Sequence, residues 1–247
     1  MKFGLTVFVI LFLTVSTICA EEKKCDFNEG KVGASSDVFS SFVGTWYIAD
    51  ENGNKVYAVD GRKWKNGAMA ADVADKAKAL YGERYAEFLD NLTAYKYFPL
   101  SIFQHLETFS SGEISVKFKS VSGRIDQAAG ISFNIKQNGD YLVIRANPLE
   151  NNVVAFRLKE GRRSVVKWVR DIPTKSKVWH TLKVIIKGKN IQGFLDDKKC
   201  ITLNMKEKVE GKIGLWSKAD SYVLFDDFKV KNIKKKETEK EKLNQKK

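Results

Sequence analysis

A series of ten short alternating stretches in the second half of the chain constrains the fold more than any other feature. GEISVKFKSV, ISFNIK, DYLVIRAN, VVAFRLK, SVVKWVR, HTLKVIIKG, IQGFLD, CITLNM, KIGLW and YVLFDDFKV follow one another between residues 112 and 230. In most of them apolar side chains recur at every second position, the period of a strand with one buried face. Most joints (QNGD, PLENN, KEGR, KGKN, DDKK) hold Gly, Asn or Asp, the residues that close tight turns. Joints this short leave no room for crossover helices, so the pattern excludes a βαβ fold and predicts an antiparallel sandwich or barrel. No period of roughly 20 to 50 residues repeats, which excludes a propeller or solenoid.

The first half is less regular. FVGTWYIAD reads as a strand, ENGNK as a turn centred on Asn52-Gly53, and Val56 to Val59 as a short second strand. GRKWKNG is then a polar loop around Trp64. Beyond it, Ala70, Ala74, Ala77, Tyr81, Phe88 and Leu92 recur at three- and four-residue spacing, one apolar face of a helix. Gly82 weakens that helix by about 1 kcal/mol relative to Ala. A helical insertion over about 69–92, packed outside a sheet, is expected.

The two ends differ from the body. Residues 1–20 combine Lys2, the apolar run Leu5 to Val15 and the small or polar Ser16, Thr17, Cys19 and Ala20. This is the pattern of a secretory signal peptide, too short for the roughly 20 residues of a membrane span. The chain is therefore expected to be exported, periplasmic or secreted. Lipidation at Cys19 is the lesser alternative, because Ile18 sits where such signals want a small residue. No later segment is apolar enough to span a bilayer. The expected domain covers 21–230. Residues 231–247 hold eight Lys against three Glu without apolar periodicity, and are expected to be a disordered tail. The net charge is +13, but no zinc finger, RNP-type aromatic box or basic helix accompanies it, so no specific nucleic-acid function is indicated. Cys25 and Cys200 remain after the leader. Export permits a disulfide between them, and two separate thiols are the alternative.

WHTLKVIIKGKNIQGFLDDKK, with its Trp-x-x-Leu-x-Val strand and Leu-Asp-Asp-Lys hairpin, resembles the concanavalin A-like lectin/glucanase superfamily. So does GKIGLWSKADSYVLFDDFKV, with a Gly-x-x-Gly-Leu-Trp strand followed by a strand ending in Phe-Asp-Asp. Within that superfamily the body resembles exported bacterial domains now called 3-keto-disaccharide (3-keto-glycoside) hydrolases or lyases. The shared stretches are GTWYIADENGNKVYAVDG, GRIDQAAGISFN, DYLVIRANPLENN and EGRRSVVKW. The resemblance covers roughly residues 26–230. It implies an all-β, concanavalin A-like jelly-roll sandwich of two antiparallel sheets with a short helical insertion, whose concave face receives a carbohydrate. Fold does not fix activity, because such domains serve as binding modules, hydrolases or parts of larger chains.

Several chemistries lack material. There is no Gly-x-Ser-x-Gly elbow, Cys-x-x-Cys, phosphate loop or His-Glu-x-x-His, and only His105 and His180 occur. The Glu-x-Asp-x-x-Glu strand of retaining glycosidases with this fold is absent, and Asp226-Asp227 cannot replace it because neighbours on a strand point oppositely. No cofactor is expected. Calcium is possible, but no Asp or Asn spacing supports it.

What remains is a polar strip. If the strands pair in order, Asn134, Arg145 and Arg157 could line one face with Tyr141 and Asn147, with Asp126 and Gln127 at the rim. Such planar polar groups bind sugars through paired hydrogen bonds, with an aromatic ring under the pyranose. Tyr141, Trp168 or Trp64 could supply the ring, whereas Trp46, Trp179 and Trp216 read as core. A solvated sheet face and turn chemistry account for the same residues, and an Arg145 flanked by carboxylates could equally be a structural ion pair. Three readings stay open: a sugar-binding protein; a glycoside or 3-keto-glycoside hydrolase or lyase with Asp126 or Glu150 as general acid/base and Arg145 steadying charge; and a non-catalytic envelope scaffold.

Overall fold

The computed structural model describes residues 18–62 and 98–235. The expected helical insertion and Trp64 lie outside them, as do most of the expected leader and the chain after Lys235. Among the described residues there are fifteen strands and no helix. The first half contributes β1 (Ile18–Cys25), β2 (Phe39–Val43), β3 (Trp46–Glu51), β4 (Asn54–Asp60), β5 (Leu100–Phe103) and β6 (Ser111–Ser122). The second half adds β7 (Ala129–Ile135), β8 (Tyr141–Asn147), β9 (Asn152–Lys159), β10 (Arg162–Val169) and β11 (Trp179–Lys187). β12 (Asn190–Leu195), β13 (Lys198–Asn204), β14 (Lys212–Ser217) and β15 (Tyr222–Lys235) complete the series.

Every pairing is antiparallel, and the strands form two sheets. The first runs β13-β12-β11-β6-β15-β4-β3, with β1 also on β15; the second runs β10-β9-β8-β7-β14-β5-β2. Turn chemistry fixes the register where the sequence predicts it. Asn52-Gly53, Glu160-Gly161 and Asp196-Asp197 each place two successive residues at positive φ, the two-residue hairpin turn that matches the twist of its strands. β15 changes partner part-way. Tyr222 to Phe225 pair with β4; past Asp227, at φ 48, residues from Phe228 onward pair with β1. Such a bulge lets one long strand serve two neighbours.

The inner faces of the sheets share one core. Ile114, Val116, Phe118, Leu182, Val184 and Phe225 from the first meet Ile131, Phe133, Leu142, Ile144, Val153 and Leu215 from the second. Leu142, Ile144 and Ala146 therefore belong to the sandwich core, as their alternation predicts. A second cluster lies on the outer face of the second sheet and includes Tyr141, Val143, Val154, Phe156, Leu158 and Trp216. Trp216 is thus buried, but it packs on the outer face and not between the sheets.

The cysteines are separate free thiols. Cys25 lies on β1 and Cys200 on β13, at opposite sides of the first sheet. Five interstrand steps of roughly 4.8 Å separate them, whereas a disulfide needs Cα atoms within about 7 Å.

Candidate functional site on the outer face of the second sheet

Register decides which predicted residues meet. Trp168 pairs with Val154, Val154 with Arg145, and Arg145 with Gly130, so one rung carries Trp168 and Arg145 on the same face. Their backbones are two strand spacings apart, roughly 10 Å. Gly130 makes room for the arginine: a Cβ there would stand 3.1 Å from Arg145 Cβ and 2.9 Å from Val143. Beyond that rung, Asn147 pairs with Asn152. Tyr141 is on this face too, two rungs the other way, buried with its hydroxyl accepting from Trp216 Nε1 at 2.9 Å.

At the Asn147 end the polar groups form a buried network. Arg145 Nη2 bonds Glu150 Oε2 at 2.7 Å, and Nη1 donates to Asn152 Oδ1. Asn152 Nδ2 reaches the same Glu150 oxygen at 2.8 Å. Asn147 Nδ2 donates to Asp126 Oδ1 at 2.8 Å, while Asn147 Oδ1 accepts from the Leu149 amide. The other oxygen of Asp126 is paired with Lys218 Nζ. Arg145 is 1% exposed and Asp126 and Asn147 are fully buried, whereas Glu150 stands at the rim.

Environment drives the two carboxyls apart. Burial pushes Asp126 up from its ordinary value despite the opposing pull of Lys218 and Arg145. For Glu150 burial also acts upward, but the bonds from Asn152 and Arg145 outweigh it and hold the carboxyl low and charged. Desolvation likewise lowers Arg145, against the charge of Glu150.

The GRIDQ loop that carries Asp126 is itself built on one residue. Asp220 accepts the backbone amides of Arg124, Ile125 and Asp126 at 2.7 to 3.0 Å. Burial works to raise its carboxyl, and these three amides overcome that and lower it. The loop's start must be glycine: Gly123 has φ 148, and a Cβ there would lie 1.8 Å from the Asp126 carbonyl. Sequence reasoning missed Lys218, Asp220 and Asn152. The partners of Lys218 and Asp220 lie some 90 residues away in the chain, so no local pattern marks them, whereas Asn152, two residues from Glu150 and seven from Arg145, reads locally as turn chemistry.

Three predicted residues leave this site. Gln127 turns away from Asp126, bonding the Gly123 carbonyl and accepting from Ser176. Arg157 pairs with Leu142 and shares its face, so it does not share a strip with Arg145. Asn134 adopts φ 55 at a register shift of β7 and holds the Glu210 amide at 2.9 Å. The bulge there puts Ile135 with the outer-face cluster, reversing its predicted side. The centre of the outer face is apolar and buried, which confines the exposed candidates to Trp168, 41% exposed, and Glu150. His180 is buried and bonds Asp196 at 2.7 Å. Among the described residues no group of three or more His, Cys, Asp or Glu could hold a metal, and no helix is long and apolar enough to cross a membrane.

Comparison with solved structures gives the fold a name. The carbohydrate-binding module CBM66 from Bacillus subtilis superposes with a TM-score of 0.55 at 16% identity, covering 80% of this chain and 99% of that one. The Crh5 transglycosylase in complex with NAG gives 0.52 at 10% identity, covering 88% and 86%, and its apo form gives 0.50 at 11%, covering 85% and 84%. This is a concanavalin A-like jelly roll. At these identities the likeness establishes the fold alone. No family model and no curated protein sequence matches the chain.

Proposed function

We propose that the protein binds a carbohydrate at the Asn147 end of the outer face, with Trp168 as the stacking platform and Glu150 as the charged acceptor. The observation that carries this is the pairing on one sheet end of an exposed indole with a carboxylate held ionised from beneath. Trp168 stands edge-on to Phe156, centroids 6.5 Å apart, which braces its ring. Glu150 is fixed by Arg145 and Asn152, so it meets a sugar hydroxyl without losing much freedom. Arg145 acts through Glu150 and is a positioning residue. Arg145 Nε and Ser132 Oγ, both buried on this face, keep hydrogen-bonding capacity without a partner. Among the similar structures, a carbohydrate-binding module and a transglycosylase in complex with NAG agree with a sugar ligand.

The opposite shifts of Asp126 and Glu150 favour one second reading, a hydrolase or lyase acting on a glycoside or 3-keto-glycoside, since carboxyls pushed apart in this way divide acid and base roles. Against it, both Asp126 oxygens are engaged inside the protein. The test is a glycan array followed by calorimetry on a hit, with the full chain and Trp168→Ala. Loss of the aromatic platform should weaken binding about three- to tenfold, matching the energy of a ring contact, with the melting temperature unchanged. Unaltered affinity in Trp168→Ala places the ligand elsewhere; turnover of the hit that Asp126→Asn abolishes establishes the enzyme.

A further inference from the structure

We infer that a second site, at the opposite end of β8, takes the carboxylate or sulfate of an acidic sugar unit. A cavity of about 460 Å³ opens elsewhere, beside Cys25 and Phe27, but its mixed charged rim singles out no ligand chemistry. The smaller one, about 220 Å³, does. Its floor is Tyr141, Leu142 and Leu158, and its wall is the loop Met205 to Val209 between β13 and β14. Around it stand five cations, Lys136, Arg157, Lys159, Lys206 and Lys208, against two carboxylates, Asp140 and Glu207; Lys159 is also 3.6 Å from Glu160, and Lys136 Nζ donates to the Glu210 carbonyl. Asp140 already accepts the Glu160 amide at 2.8 Å.

Arg157 is the principal cation. It is exposed, on the face that elsewhere points into the sandwich core, and it has no acidic partner among the described residues. It contrasts with Arg145, twelve positions earlier, whose two outer guanidinium nitrogens each donate a bond inside the protein. A planar guanidinium left free beside a cavity suits a two-oxygen anion. The wall that faces it is fixed. Val209 is buried, its amide bonds the Gly188 carbonyl at 3.3 Å, and the Met205 amide bonds the Lys189 carbonyl at 2.9 Å. Asn134, in its left-handed conformation, ties the same loop to β7 through the Glu210 amide. The cations are therefore carried by β9, the β7–β8 turn and a braced loop, as a preformed site requires. The volume is below the roughly 300–1,000 Å³ of a pocket that engulfs a drug-sized ligand. It accommodates one charged sugar unit, the rest of the saccharide running outside.

The choice of a saccharide over another anion rests on the proposed function, and the experiment separates the two. The full chain is titrated with a neutral oligosaccharide, with uronate-bearing and sulfated oligosaccharides of equal length, and with inorganic sulfate alone. Arg157→Gln and Arg157→Gln/Lys208→Gln are compared with Trp168→Ala. The expected result is a preference of about tenfold for one acidic oligosaccharide over the neutral one, shrinking as salt rises. Arg157→Gln should cut it to about threefold, and the double variant should remove it while leaving neutral binding as it was. Equal affinity for charged and neutral saccharides overturns the inference, as does a preference that survives in the double variant. Inorganic sulfate binding as tightly would show a general anion site and overturn the saccharide assignment. Neutral binding that survives unchanged in Trp168→Ala counts against the Trp168 platform and leaves the Arg157 result standing, whereas no binding of any saccharide overturns the sugar reading and this inference with it.

Discussion

The two ends of β8 solve opposite electrostatic problems with the same residue type. At the Asn147 end, Arg145 is buried and answered by Glu150 and Asn152, while Asp126 is answered by Lys218 and Asn147. At the Tyr141 end, Arg157 on the adjacent strand is exposed and has no carboxylate partner among the described residues. Burial makes the difference. A desolvated charge without its counter-charge costs several kcal/mol, so the first end had to be completed inside the protein. A solvated guanidinium carries no such penalty and can stay free for an external partner. A closed network is thus a framework that can still present its rim, and an open cation cluster is where recognition of an anion costs the fold least.

The largest expected effect breaks the closed end. Arg145→Ala leaves Glu150 without its cation and opens space beside Phe156, whose ring the guanidinium carbon overlies at 5.6 Å. Truncating a large, well-packed buried side chain to Ala costs about 2–5 kcal/mol. Urea unfolding should show a loss of that size, and the full chain's Glu150→Gln should also destabilise, because it leaves the buried Arg145 guanidinium without its counter-charge. A loss under 1 kcal/mol in Arg145→Ala would mean that the network is not structural.

Sequence reading placed the framework well and the network poorly. The alternation of DYLVIRAN set Leu142, Ile144 and Ala146 in the core, and Asn52-Gly53 and Asp196-Asp197 set hairpins, because period and turn chemistry are local. The same alternation put Tyr141, Arg145 and Asn147 on one face, which holds. It failed at Asn134, where one left-handed residue inverts the side of Ile135, and a bulge leaves no mark on the spacing itself. Arg157 was misgrouped for a different reason. Its own strand phase was right, but the register between β8 and β9 sets it opposite Leu142 and not Arg145. Lys218 and Asp220 were invisible because the chain brings them to the GRIDQ loop from some 90 residues away.

A smaller effect tests how Asp126 is delivered to the closed end. Asp220→Asn keeps the shape but removes the charge that three amides address, worth about 1–3 kcal/mol for hydrogen bonds to a charged acceptor. The sign with pH follows from the lowered carboxyl. The folded state holds Asp220 ionised below the usual aspartate range, so its contribution is complete above the unfolded value and is lost as pH falls through the folded one. Thermal melts of the two proteins should differ at neutral pH and converge in acid. Asp126 runs the other way, its raised carboxyl favouring the folded state as pH falls, and it is common to both proteins. A gap that persists unchanged into acid would show that Asp220 acts by shape and not by charge.

The smallest effect sharpens the open end. Arg157→Gln should move folding stability by no more than about 0.5 kcal/mol, as expected of an exposed residue that closes no network. It removes a charge from a cluster where five cations crowd two carboxylates, and like charges repel. The change should therefore be neutral or slightly stabilising at low salt and vanish at high salt. Guanidinium chloride would mask this by supplying salt, so urea melts at two ionic strengths are the measurement. Destabilisation beyond 1 kcal/mol would mean that Arg157 holds the Met205–Val209 wall in place. The two ends of β8 would then be alike, both structural, and the contrast between a closed network and an open site would fall.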